Sequence, residues 1–215
     1  MKTYKIYLIR NGLTKGATEG RYIGHTDEPL SDEGRIQLVD LTTNGYFPQV
    51  EVVMSSPLKR CTETAKIIYP GKEPLIIDAI KECNFGEFEG LTADELYDNE
   101  DFTSWIKGDI DSAPPYGESN REFAVRIHSA FVKIIEGILK SGITETAIVT
   151  HGGIIMSWLA SFGLPEAPMT DWRTPCGCGY QLRHEASIWS KLNKIEVIDE
   201  VPFSIKTEND DWMTN

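Results

Sequence analysis

The chain has 215 residues, 40% of them hydrophobic, which suffices for one large packed domain or a domain with a small cap. Its formal net charge of −12 repels nucleic acid and anionic lipid at long range, and no apolar run approaches the length of a membrane span. Neither nucleic acid nor a membrane is therefore an expected partner, and any phosphate site must rest on locally focused cations.

The opening Met1-Lys2-Thr3-Tyr4 runs into a segment rich in β-formers and shows no signal-peptide pattern, so a cytoplasmic location is expected. Tyr4–Ile9 alternates as a strand. Ser31 reads as the N-cap of a helix reaching Asn44-Gly45. Val50–Met54 is a second strand, Leu58–Ile68 a second helix, and Leu75–Asp78 a short third strand. Asp94–Trp105 reads as helix, Gly108–Gly117 as loop, and Ser119–Lys140 as a long amphipathic helix. Thr146–Thr150 is a fourth strand, followed by a helix from Gly152 to about Phe162. Gly179–Leu182 and Asn193–Ile198 are later strand candidates, and the acidic tail Thr207–Asn215 is expected to fray.

Strand alternating with helix predicts a three-layer α/β/α fold, with a mostly parallel central sheet and helices on both faces. The expected organisation is a single domain, 1–215, with a small helical cap inserted at about 83–140. The four cysteines, Cys61, Cys83, Cys176 and Cys178, form no spaced disulfide framework. Cys176-Gly177-Cys178 lacks a second pair, so reduced thiols in a turn are expected rather than a metal site.

In an open parallel sheet, ligands bind beyond the carboxyl ends of the strands. Arg10-Asn11-Gly12 follows the first strand, Ser55-Ser56-Pro57-Leu58-Lys59-Arg60 the second, and His151-Gly152-Gly153 the fourth. Arg10, Arg60 or His151 alone has an ordinary explanation as a surface or hydrogen-bonded residue. Together they place two guanidinium forks, an imidazole and helix N-termini at one edge, which suits a phosphate.

Those segments carry a resemblance. Leu8-Ile9-Arg10-Asn11-Gly12-Leu13-Thr14 resembles the Leu-x-Arg-His-Gly-x-Thr signature of the histidine phosphatase (phosphoglycerate mutase-like) superfamily. Gly20-Arg21-Tyr22-Ile23-Gly24-His25-Thr26-Asp27-Glu28-Pro29-Leu30-Ser31 is similar to the family's Gly-Arg segment, and Ser55–Arg60 to its second motif. Glu82-Cys83-Asn84-Phe85-Gly86-Glu87-Phe88-Glu89-Gly90, Pro115-Tyr116-Gly117-Glu118-Ser119 with Arg126, and Val149–Gly153 match three more. The wording of these motifs, and the short interval between Glu82 and His151, resemble the small phosphatase branch with its α-ribazole phosphatase-like enzymes more than the glycolytic mutases.

The resemblance implies a phosphomonoester hydrolase acting on a small phosphorylated metabolite without metal or cofactor. A homodimer is left open. It implies Glu82 as general acid, with Glu87 and Glu89 next in line. Arg10, Arg60, His151 and Gly152 would bind phosphate. Arg21, Tyr22, Ile23, Gly24 and Phe88 would bind the rest of the substrate, with Tyr22 and Phe88 favoured among the aromatics. The nucleophilic His of the family is replaced by Asn11, whose amide lone pair is delocalised, so the chain as printed is expected to be inactive. A second departure is Ala17, at a slot that usually holds a phosphate-contacting Asn. Two departures favour natural divergence over a disabling change at one site. A natural binding protein, an enzyme with altered chemistry at His151 or Glu82, and a mutase are the alternatives.

Overall fold

A computed structural model of the chain describes residues 2–204, so the tail expected to fray lies outside the described residues. The elements in chain order are β1 (Tyr4–Arg10), α1 (Lys15–Thr18), α2 (Asp32–Asn44), β2 (Gly45–Tyr46), β3 (Val52–Ser55), α3 (Lys59–Ile68) and β4 (Leu75–Ile76). After two short 3-10 turns come α4 (Glu100–Ile106), α5 (Asn120–Ser141), β5 (Glu145–Thr150), α6 (Gly152–Phe162) and β6 (Gly163–Leu164). A third 3-10 turn, Met169–Trp172, leads to β7 (Gly179–His184), α7 (Ala186–Leu192), β8 (Ile195–Val201) and β9 (Phe203–Ser204).

Seven strands form one sheet in the order β4-β3-β5-β1-β7-β8-β6. The β4-β3-β5-β1 half is parallel throughout, β7 runs against both its neighbours, and β6 pairs parallel to β8. This is a mostly parallel α/β/α arrangement, as the alternation of strands and helices predicts.

The period-two pattern of β1 explains the layers. Ile6 and Leu8 point to a core shared with Ile127, Phe131 and Trp158 of α5 and α6. Tyr7 and Ile9 point the other way, to a core with Leu38 of α2 and Cys61 and Ala65 of α3. A one-residue slip would exchange every one of these contacts. Ser31 caps α2 through Gly34 N, and Ser119 with Glu122 forms a full capping box at α5.

A third apolar cluster, built from Cys83, Phe88, Leu96, Phe102 and Trp105, forms the cap. Within the 83–140 segment expected as a cap, α5 buries Ile127, Phe131 and Ile135 in the core with Ile6 and Leu8 of β1. The helix expected over Asp94–Trp105 is confined to α4, whose first turn is set by Asn99 capping Phe102 N. The third strand keeps only Leu75 and Ile76 before the chain tightens into the turn Asp78–Ile80. No helix among the described residues is long and apolar enough to cross a membrane.

Candidate active site

The parallel ladder carries the site to one edge. Asn11 N donates to Thr150 O at 2.8 Å, so β1 and β5 end side by side. Arg10 and Asn11 leave β1 there, and His151 leaves β5. Arg60 enters from the first turn of α3. A cavity of about 510 Å³ opens at this edge, and Arg10, Asn11, Arg60, Glu82, His151 and Gly152 all line it. Residues expected together from separate strand ends are thus brought together.

Arg60 is almost fully buried, at 3% exposure. Its Nη2 donates to Gly24 O at 2.6 Å and its Nη1 to Thr26 O at 2.9 Å. Its Nε donates to His151 Nδ1 at 3.3 Å. That bond takes the Nδ1 lone pair, so the ring proton belongs on Nε2, where it faces Ser56 Oγ at 2.9 Å. Burial, reinforced by the Arg60 charge, pushes the His151 pKa well below the ordinary histidine value. His151 is therefore a neutral imidazole with both nitrogens engaged. The neighbouring Cys61 thiol is pushed up to about 12 by burial, which makes it inert.

Glu82 sits across the cavity. Its Oε2 accepts from Gly153 N at 3.0 Å and its Oε1 from Cys83 N at 3.1 Å. Burial nevertheless pushes its carboxyl pKa up, the direction a proton donor needs. The Glu82 backbone is held from α5. Arg126 donates to Ala79 O, Lys81 O and Glu82 O, and pairs with Glu118 at 2.6 Å. The Glu118 and Arg126 of the matched motif therefore act on the segment that presents Glu82.

Glu89, one of the fallback acids, has a different task. Its two oxygens accept from the backbone N–H groups of Gly24, His25, Thr26 and Phe85. Glu87 is exposed and does not line the cavity.

Arg21, Tyr22 and Ile23 line the cavity as expected from their segment. Arg21 is also tied to Glu19 and Glu95. Gly24 and Phe88 do not line it. Gly24 is packed so tightly that a Cβ would sit 1.8 Å from Cys83 O, and its carbonyl serves Arg60. Phe88, at 1% exposure, turns inward onto Phe102 and Trp105. Phe85 takes the wall position instead, edge-on to Tyr22. Tyr116 is exposed, Trp172 is buried against Tyr180, and neither lines the cavity. His25 is half-buried with its Nε2 unpartnered among the described residues.

Met156, Arg173 and Thr174 also line the cavity and stand outside every matched motif. Met156 lies one helical turn beyond Gly152-Gly153, a spacing that would place it on the same face. Nothing local in the sequence marks Arg173. Ala17 lines the wall beside Asn11.

Among the described residues, no group of three or more His, Cys, Asp or Glu side chains is arranged to hold a metal ion. The site offers guanidinium groups, a neutral imidazole, a carboxyl of raised pKa and the N-terminus of α6, whose dipole favours an anion.

Comparison with known proteins places the chain in a family. The chain is 32% identical over 169 residues to the "Probable phosphoglycerate mutase GpmB" of Escherichia fergusonii, covering 75% of this chain and 76% of that one. It is 27% identical over 179 residues to the "Adenosylcobalamin/alpha-ribazole phosphatase" of Escherichia coli K12, covering 81% and 87%. Among solved structures, a putative alpha-ribazole-5'-P phosphatase from Escherichia coli K-12 superposes with a TM-score of 0.79 over 95% of this chain and 99% of that one. At 22% identity that likeness speaks for the fold. Residues 6–193 match the family description "Histidine phosphatase superfamily (branch 1)", and the chain belongs to that superfamily.

Proposed function

We propose that the cavity binds the phosphoryl group of a small phosphorylated metabolite, and that Asn11 stops the chain from turning it over. The observation that carries this reading is the convergence of Arg10, Arg60, His151 and Glu82 on one cavity with Asn11 in its wall. In this reading Arg10, Arg60 and the α6 N-terminus hold the phosphoryl oxygens, and neutral His151 accepts from Arg60 and orients it. Glu82 faces the leaving oxygen. The protein is a cytoplasmic, single-domain member of the family that needs no metal, because its arginines supply the positive charge.

Asn11 lacks a free lone pair for attack on phosphorus. No replacement imidazole is at hand. His151 Nδ1 is given to Arg60 and its Nε2 carries a proton toward Ser56, which disfavours altered chemistry through that ring. Ground-state binding survives, since the cationic groups do not depend on position 11. A mutase, the activity named for the GpmB relatives, needs the same nucleophile and would be halted in the same way.

With a histidine at position 11, the full two-step path becomes available. The imidazole attacks phosphorus, the bond to the leaving oxygen breaks, and Glu82 gives that oxygen its proton. Water then attacks the phosphohistidine while Glu82 takes a proton back, releasing inorganic phosphate. The experiment is Asn11→His with an aryl phosphate as substrate. Turnover raised by several powers of ten over the unchanged chain supports the reading. Tight phosphate binding without turnover in Asn11→His favours a dedicated binding protein. No phosphate binding by either chain defeats the proposal.

A further inference from the structure

The cavity holds more positive charge than a phosphomonoester needs. Four arginines line it, Arg10, Arg21, Arg60 and Arg173, against the single carboxylate of Glu82. Two of the four already have partners within the protein. Arg60 is spread over the carbonyls of Gly24 and Thr26, and Arg21 is paired with Glu19 and Glu95. Arg173 is different. It is exposed, and among the described residues no carboxylate lies within ion-pair distance of it. In a protein of net charge −12, an unpaired guanidinium in a cavity wall is a specific placement.

The backbone under Arg173 is fixed by the site itself. Its carbonyl accepts from the Tyr180 hydroxyl at 3.1 Å. The next carbonyl, that of Thr174, accepts from Arg10 Nη1 at 2.6 Å. Trp172 and Thr174 on either side are buried. Arg10 thus ties the position of Arg173 to the phosphate end of the cavity, while the Arg173 side chain stays free to reach the remainder of a ligand.

We propose that Arg173 is a specificity-determining residue that pairs with a second anionic group, a carboxylate or a further phosphate, on the phosphorylated ligand. This rests on the reading of the cavity as a phosphoryl site. The ligand class is then a phosphate ester that carries another negative charge a few bonds from the ester oxygen. A guanidinium fork suits either group, because both present two oxygens in one plane.

The test uses the chain as it stands, so binding is read without turnover. Phenyl phosphate, 4-carboxyphenyl phosphate and 1,4-phenylene bisphosphate are titrated calorimetrically into the unchanged protein, Arg173→Ala and Arg173→Lys. The unchanged protein should bind at least one of the esters with a second anionic group about tenfold or more tighter than phenyl phosphate, the scale of a charge-assisted contact. Arg173→Ala should abolish that preference and leave phenyl phosphate affinity within about twofold. Arg173→Lys should keep part of it. Preference for the carboxylate alone or the bisphosphate alone identifies which second anion is read. Equal affinity for all three esters in the unchanged protein, or an equal loss for all three in Arg173→Ala, overturns the role of Arg173 while the phosphoryl site stands. Failure of every ester to bind the unchanged protein overturns the phosphoryl reading itself. Arg173 is exposed, so thermal unfolding of the variants should match the unchanged protein, which separates lost specificity from lost fold.

Discussion

Gly153 N donates to Glu82 Oε2 at 3.0 Å, and the same glycine leaves open a space in which a Cβ would lie only 2.7 Å from Glu82 Oε1. One residue therefore both holds the carboxylate and makes room for it. Gly153→Ala should push the end of the Glu82 side chain away while leaving the fold intact, because the clashing atom terminates a flexible chain. Unfolding free energy should change by at most about 1 kcal/mol. In an Asn11→His background, turnover of alkyl phosphates should fall about tenfold or more, while activated aryl phosphates, which need little protonation, should suffer less. Equal losses for both ester classes would remove Glu82 from the role of acid.

Glu82 and His151 give the fold opposite pH dependences. The Glu82 pKa is raised by burial above the ordinary 4.5, so the folded state keeps its proton longer than the unfolded chain. Its stabilising share is fully present below pH 4.5 and is lost as pH rises through the folded value. Glu82→Gln should therefore gain stability relative to the unchanged protein as pH rises across the carboxylate range, then level off. The His151 pKa is depressed well below 6.5, so its share is present above that pH and is lost as pH falls toward the folded value. His151→Gln should be less sensitive to acid over that interval. Denaturant unfolding at stepped pH measures both slopes. A slope of the wrong sign in either variant contradicts the corresponding burial.

Arg60 joins three parts of the molecule: the Gly-Arg loop through the carbonyls of Ile23, Gly24 and Thr26, His151 through Nδ1, and α3 through its own backbone. Arg60→Ala leaves buried carbonyls without donors and should cost about 3 kcal/mol or more. Arg60→Lys keeps the charge but has one nitrogen for four acceptors and should recover only part of this. Freed from Arg60, His151 should also titrate closer to the ordinary histidine range, which ring-proton shifts in NMR would report. A His151 titration unchanged in Arg60→Ala would mean that burial alone sets it.

Much of this was legible in the chain. The alternation of Tyr4–Ile9 gives β1 and the two faces on which Leu8 and Ile9 divide. The residues just past β1, β3 and β5 sit together because strand ends in a parallel sheet share an edge. Other parts depend on how distant segments pack. Phe85 and Phe88 stand three residues apart in one motif, and spacing does not say which faces the cavity. The turn Gly86–Phe88 decides it, by directing Phe88 into the aromatic cluster of the cap. Arg173 is separated from Arg10 by most of the chain, and bonds between the end of β1 and the segment Thr174–Cys178 bring it into the wall. The fate of a carboxylate is equally non-local, as Glu89 shows.

Glu89 is the fastening between the Gly-Arg loop and the cap. His25 N donates to it at 2.7 Å, Gly24 N at 3.0 Å, and Thr26 N and Phe85 N each at 3.2 Å. A carboxylate so occupied has no oxygen to spare for a leaving group. Glu89→Ala should leave several backbone donors unsatisfied, at a cost of about 2–4 kcal/mol. The loss should be local, since the sheet cores do not include Glu89. Hydrogen exchange should quicken at the Gly24, His25 and Thr26 amides while the β1 amides stay protected. The loosened loop also carries the carbonyls that orient Arg60, so phosphate affinity should weaken. Glu89→Gln should rescue little, because its amide nitrogen presents hydrogens to donors. If Glu89→Ala instead left those amides protected, and in the Asn11→His background slowed only esters with poor leaving groups, the proton donor would be Glu89 and the role given to Glu82 would pass to it.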